Sequence, residues 1–337
     1  MKIEENFNLR SYNTFGLEVR CRYFAGSEKE TDFLDLAASY RLEPEKILLL
    51  GGGSNFLFTG DFGGTVLYPL MKGIEVVDED TSCVWLRVGA GEKWDDFVAW
   101  AVGQGYGGVE NLSLIPGHVG AAPVQNIGAY GVEAGEVIER VEAIDLEKAE
   151  KINIDAASCH FAYRDSVFKG SCKNRYMITY VTFRLKKQPV FRLEYGSIKN
   201  ELEKLGGEVS LHAIREAVIR IRQSKLPDVE MLPNAGSFFK NPMLSARLAE
   251  RLKKEYPDMP VYEAGEDRVK LAAGWLIEQA GWKGRTWGKA GVHDRQALVL
   301  VNRGGASGIE IAQLANEIKK SVFLKFGVFI EPEVNII

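Results

Sequence analysis

Leu48-Leu49-Leu50-Gly51-Gly52-Gly53-Ser54-Asn55 runs an apolar β-type segment into three glycines and two small polar residues, after which Phe56-Leu57-Phe58 resumes an apolar run. Successive glycines tolerate φ > 0 and expose consecutive backbone N–H groups, a concavity that suits an anion such as pyrophosphate. The familiar helix-linked phosphate loops do not fit here. This turn has neither G-x-G-x-x-G nor G-x-x-x-x-G-K-[ST], and a strand rather than a helix follows it. Gly103, Gly105 and Gly108 do have the G-x-G-x-x-G spacing, but they follow a helical segment and so lack the dinucleotide context. For residues 51–54 alone, a plain glycine turn is the competing reading.

Outward from this turn, glycine is the compositional outlier: 35 of 337 residues, above the usual share of about 7%, clustered near 51–64, 89–135 and 281–308. The second cluster holds Ile115-Pro116-Gly117-His118-Val119-Gly120-Ala121-Ala122-Pro123-Val124-Gln125-Asn126-Ile127-Gly128-Ala129-Tyr130-Gly131. Such a density of small residues lets backbone lie flat against a large planar group, a cofactor ring, with N–H groups as the polar contacts. A tight loop packed on its own core is the alternative.

Between the clusters, short β-type runs (47–50, 66–68, 84–88) alternate with a few helices. Trp94, Phe97, Val98 and Ala101 predict a helix that stops near Gly103 and Gly105. Ile214, Ala217, Val218 and Ile221 predict a second, ending before Pro227. Ile311, Leu314, Ala315, Ile318 and Val322 predict a third. Residues 328–337 read as a strand with Ile330, Val334 and Ile336 on one face and Glu331, Glu333 and Asn335 on the other. The class is α+β, the length suggests about two domains, and a polarity shift at 186–189 puts the lobe boundary near residue 205.

Lys plus Arg number 42 against 46 Asp plus Glu, a net charge of −4 with no basic block, which disfavours nucleic acid. No run approaches the roughly 18 apolar residues of a membrane helix, and residues 1–8 lack a leader's apolar core, so no membrane and a cytoplasmic location are expected. Cys21, Cys83, Cys159 and Cys172 are scattered, and His118, His160, His212 and His293 lack ligand spacing; neither disulfides nor a metal is expected.

Asn13-Thr14-Phe15-Gly16, LLLGGGSNFL (48–57), ENLSLIPGHVGAAPVQNIGAYGVE (110–133), YRDSVFK (163–169), LPNAGSFFKNP (232–242) and EPEV (331–334) follow one another in order over nearly the whole chain. Together they resemble the UDP-N-acetylenolpyruvoylglucosamine reductase family, in its longer class with a tyrosine-bearing loop. The resemblance implies an FAD-binding fold of the vanillyl-alcohol-oxidase type plus a C-terminal α/β substrate-binding lobe. The implied division is 1–70 and 71–205 for two α+β flavin subdomains, 206–325 for the substrate lobe, and 326–337 for a strand returning to the active site. The implied reaction is NADPH-dependent reduction of UDP-N-acetylglucosamine-enolpyruvate through FAD, in peptidoglycan precursor synthesis.

The family's catalytic positions fall on Arg164, facing the substrate carboxylate, Ser237, the proton donor, and Glu333, which stabilises the intermediate or relays the proton. Read without the family, Arg164 beside Asp165 is an ordinary ion pair and Ser237 a turn serine. The resemblance gives non-covalent FAD to Leu50, Gly51, Gly52, Gly53, Ser54, Asn55, Pro116, Gly117, Gly120, Ala121, Asn126, Ile127, Gly128 and Gly131. It gives the UDP-sugar to Tyr195, Lys225, Asn241, Lys283 and Gln296; Arg222, four residues after Val218 on the helix that ends near Lys225, is expected near the same anion, with a solvated helix face as the competing reading. His118 stands where the family usually has a small residue, and only four residues follow Glu333, so a looser last strand is expected. A monomer is the family expectation, and preference for NADPH over NADH rests on the resemblance alone. Two competitors keep parts of this reading: an FAD-dependent oxidase of another hydroxylated substrate, and a flavin- or nucleotide-binding module without turnover.

Overall fold

A computed structural model describes every residue except Arg41 and Glu266. The apolar run at 84–88 becomes strand Cys83–Gly89 of a five-stranded antiparallel sheet. Its spatial order is Glu150–Asp155, Ile138–Asp145, Tyr176–Lys186, Cys83–Gly89, Ile74–Glu79. The register sets Val181 opposite Val88, Phe183 opposite Leu86 and Leu185 opposite Val84, all fully buried. Helix Trp94–Gly103 covers them with Trp94, Phe97, Val98 and Ala101, the side chains its periodicity marks as apolar. Phe97 and Phe183 lie 4.7 Å apart, and the Trp94 indole N–H donates to the Leu112 carbonyl at 2.9 Å, so the large side chain is buried with its polar atom satisfied.

A four-stranded sheet, ordered Ile3–Asn8, Arg20–Ser27, Phe62–Pro69, Ile47–Leu49, carries helix Glu30–Ser39 through Phe33 and Leu36. Its strand Ile47–Leu49 is the segment that enters the three-glycine turn.

The chain divides into two compact units. The first holds residues 1–7, 21–53 and 63–224; the second holds 8–20, 54–62 and 225–337. Helix Leu211–Lys225 therefore lies, through residue 224, with the first unit rather than beyond a boundary near 205. Its Ile214, Val218 and Ile221 pack with Ile198 of helix Gly196–Leu205 into a small core flanked by Tyr130, Phe191 and Leu193.

The second unit has an antiparallel sheet ordered Asn234–Ser237, Val299–Asn302, Ala290–Val292, Thr286–Trp287, and a smaller sheet Met243–Ser245, Arg268–Leu271, Val261–Glu263. Helix Gly308–Phe326 buries Ile311, Leu314, Ala315, Ile318 and Val322, as its spacing predicts. Residues 8–20 are tied in by Asn302, whose amide donates to the Phe15 carbonyl at 3.0 Å, and by the Asn234 N–H on the Thr14 carbonyl. The C-terminal strand is shorter than its alternation suggests: only Asn335–Ile336 is a strand, parallel to Phe56–Leu57. Residues 331–333 run instead beside 238–240, and Ile336 is exposed while Ile330 and Val334 are buried. Pairing changes partner partway along, so one alternation does not hold throughout. Among the described residues no helix is long and apolar enough to cross a membrane.

Candidate functional site

Residues 50–53 of the glycine turn belong to the first unit, and the chain enters the second at Ser54 and Asn55. Leu50 is still paired, its N–H donating to the Leu67 carbonyl. Beyond it, the N–H groups of Gly51, Gly52 and Gly53 have no acceptor among the described residues, and Gly53 has φ +65°. Three unpaired donors in succession are what an anion-binding turn requires and what a closed hairpin turn would not leave.

The two glycine stretches pack on each other. A Cβ at Gly52 would lie 2.7 Å from Gly117 Cα, and one at Gly120 2.6 Å from Ala90 Cβ. His118 extends from this contact towards the Tyr68 ring, 5.8 Å away, with its Nδ1 buried and without a hydrogen-bond partner among the described residues. An orphaned polar atom and unpaired amides beside close-packed glycines fit a polar, anionic group such as the flavin diphosphate.

Further along, Gly128–Ala129 pairs with Val132–Glu133 across Tyr130 and Gly131, both at positive φ (51° and 81°), the two-residue hairpin geometry that favours glycine. Arg164 is likewise left-handed, at φ 56°, in a turn closed by hydrogen bonds between Ala162 and Asp165. Its guanidinium donates to the carbonyls of Gly128 and of Asn126. The structure thus brings Arg164, Asn126, Ile127 and Gly128 together.

Tyr195 and Arg222 also meet, through Tyr130. The Tyr130 and Tyr195 rings stand edge to face at 5.7 Å. Arg222 donates from Nε to the Leu114 carbonyl at 3.2 Å. Leu114 N–H donates to Asp95, which makes a two-bond pair with Arg215 at 2.6 and 2.9 Å. Burial raises the Asp95 carboxyl, but Arg215, the Leu114 N–H and the charge of Arg222 outweigh it and hold Asp95 below the usual carboxylate range. Burial pushes the Tyr130 phenol up, partly offset by Arg222, and pulls Arg222 down, partly offset by Tyr130 and Asp95. The result is a cation and a phenol hydroxyl at one place, suited to a phosphate or hydroxyl group of a ligand. Sequence reasoning missed Tyr130, Asp95 and Arg215; the Tyr-Gly pair closing the small-residue loop was the available signal for Tyr130.

In the second unit, Gly236 has φ +67° and its N–H donates to Asn234 Oδ1 at 2.8 Å, within a strand whose register against Val299–Asn302 shifts between Asn234 and Ser237. The Ser237 hydroxyl makes no hydrogen bond among the described residues, unlike a turn serine. Next to it, the Phe238 carbonyl accepts from the Glu333 N–H at 2.7 Å, and the Asn55 amide donates to the Glu333 carbonyl at 3.3 Å. Asn55, through its side-chain amide, and the residue after Ser237, through its backbone, therefore both bond to Glu333.

Asn241 Oδ1 accepts from the Ala273 N–H at 2.9 Å, and Gln296 Oε1 lies 3.0 Å from where a Gly274 Cβ would be, so both reach the start of helix Ala273–Gln279. Lys283 is instead paired with Glu278 at 2.9 Å, and Lys225 is exposed at the end of its helix. Arg164, Tyr195 and Arg222 belong to the first unit, Ser237, Glu333, Lys225, Asn241, Lys283 and Gln296 to the second. No group of His, Cys, Asp and Glu that could hold a metal occurs among the described residues.

Residues 24–154 match the profile of an FAD binding domain, and residues 227–337 that of the UDP-N-acetylenolpyruvoylglucosamine reductase C-terminal domain. UDP-N-acetylenolpyruvoylglucosamine reductase of Bacteroides fragilis is 49% identical over 99% of this chain and 100% of its own length. That of Amoebophilus asiaticus is 47% identical over the full length of both. In structure, the chain is similar to UDP-N-acetylenolpyruvylglucosamine reductase from Thermus caldophilus (TM-score 0.71, 22% identity, 100% of this chain and 99% of that one). It is also similar to 6-hydroxy-D-nicotine oxidase from Arthrobacter nicotinovorans (TM-score 0.56, 15% identity, 99% and 88%), a likeness of fold alone. By its full-length identity to these relatives, and by an FAD-binding fold with the lobe particular to them, the chain belongs to the UDP-N-acetylenolpyruvoylglucosamine reductase family.

Proposed function

We propose that this chain reduces UDP-N-acetylglucosamine-enolpyruvate to UDP-N-acetylmuramate for peptidoglycan synthesis, with non-covalent FAD as cofactor and NADPH as reductant, acting as a cytoplasmic monomer. FAD, when bound, supplies the hydride chemistry. The unpaired N–H groups of Gly51, Gly52 and Gly53 and the adjoining loop at 116–121 would hold its anionic part.

What the protein's residues add concerns charge and a proton. Reduction of the vinyl ether builds negative charge on the substrate's carboxylate end, and the fixed Arg164 guanidinium stabilises it there. The carbon next to the carboxylate then needs a proton, which the Ser237 hydroxyl donates. Glu333 stabilises the intermediate or returns a proton to Ser237. Tyr195, Arg222, Lys225, Asn241, Lys283 and Gln296 hold the nucleotide part. The observation that supports the roles of Ser237 and Glu333 is the pairing of 238–240 with 331–333, which sets Ser237, whose hydroxyl makes no hydrogen bond among the described residues, next to a carboxylate-bearing segment remote in sequence.

The test is an anaerobic titration of the flavin absorbance. NADPH should bleach it, and the enolpyruvyl sugar nucleotide should restore it. Ser237→Ala should bleach normally and recover about 10²- to 10⁴-fold more slowly, the usual contribution of a positioned proton donor. Recovery with air alone would point to an oxidase, and equal slowing of both halves would remove Ser237 from the proton step.

A further inference from the structure

Arg164 sits in a conformation that a side chain with a Cβ adopts only when its surroundings hold it there. Several of the contacts around it pass through one residue. Asn126 is buried and itself at φ 44°. Its amide nitrogen donates to the Ala162 carbonyl at 3.1 Å, the same oxygen that receives the Asp165 N–H and closes the turn carrying Arg164. The other amide hydrogen goes to Glu133 Oε2 at 2.7 Å, and Asn126 Oδ1 accepts from the Gly135 N–H at 2.8 Å. Asn126's own carbonyl accepts from the guanidinium, as does that of Gly128, where an added Cβ would come within 2.9 Å of Arg164 Nη1. Both amide donors are thereby committed inside the protein, which leaves none for a flavin.

We infer that Asn126 is a positioning residue for Arg164: it clamps both the turn that carries the arginine and the carbonyl that orients its guanidinium, and its side chain does not bind the cofactor. This rests on the function proposed above, in which Arg164 acts on the substrate carboxylate. The clamp therefore matters to the half-reaction that charges that carboxylate and much less to the one that precedes it.

The experiment compares wild type, Asn126→Ala and Asn126→Asp as FAD-loaded proteins under anaerobic conditions. Asn126→Asp keeps the volume and the Gly135 acceptor while removing both donors, and serves if the alanine variant does not fold. FAD affinity and the rate of flavin reduction by NADPH should stay within about twofold of wild type. Reoxidation by the enolpyruvyl sugar nucleotide should slow by about tenfold or more, as expected when a charge-stabilising group is misplaced. In an Arg164→Lys background, the same substitutions should add less than about threefold, since both act on one interaction. Equal loss in the two half-reactions, weaker FAD binding with normal reoxidation, or full additivity with Arg164→Lys would overturn the inference. Failure of the wild type itself to be reoxidised by that substrate would instead remove the functional reading on which it rests.

Discussion

His118 shows how a single side chain is set by its surroundings. Burial, with the charges of Lys72 and Lys93 against a smaller opposing effect of Glu92, pushes it down to about 4. In the unfolded chain a histidine takes up its proton near pH 6.5, so the folded state binds fewer protons between there and about 4. The stability this residue contributes is complete above that range and is lost as pH falls through it. His118→Gln removes the titrating group, so its urea midpoint should fall less than that of wild type between about pH 7.5 and pH 5. Parallel midpoints for the two proteins would assign the acid sensitivity to other groups. The reading of His118 as a departure from the family's small residue gave no hint of this, because its neighbours Tyr68 and Lys72 come from other segments.

At the scale of elements, the buried stripe of helix Gly308–Phe326 was legible, since five apolar residues at helical spacing define it without reference to anything distant. Its first residue was not. A Cβ at Gly308 would stand 1.7 Å from the Phe58 carbonyl oxygen and 3.0 Å from Thr59 Cα, so only glycine lets the helix start against that strand. Gly308→Ala should lower unfolding stability by about 3 kcal/mol, at the upper end for overpacking, read as a shift in denaturant midpoint at unchanged slope. A loss under about 0.5 kcal/mol, the size of an ordinary surface change, would mean that the helix start shifts freely. The last ten residues illustrate the converse: their alternation is regular, yet Glu331 and Glu333 pair with residues 238–240 and Asn335 with Asn55, and the change of partner sends Ile336 outward.

For the molecule as a whole, FAD binds the folded chain, so its removal lowers stability by mass action. Free FAD at about a hundred times its Kd stabilises by about 2.7 kcal/mol relative to the apoprotein. The apoprotein should accordingly unfold at lower urea, with the midpoint restored by added FAD in a concentration-dependent way; a midpoint indifferent to FAD would mean that the glycine turn and its partner loop do not hold it. The sequence by itself determined the class, the helical stretches through 94–101, 214–221 and 311–322, the backbone-built turn at 51–53 and, by ordered motifs, the family. These are local properties: periodicity, glycine conformational freedom and short spacing act over a turn or two of chain. Only the tertiary structure decided that helix Leu211–Lys225 packs with the first unit, that Glu333 pairs beside Ser237, and that Tyr130 joins Tyr195 and Arg222 while Asn126 clamps Arg164. Those outcomes depend on which distant surfaces bury one another and on which buried donors find acceptors, and neither is encoded within any single stretch of the chain.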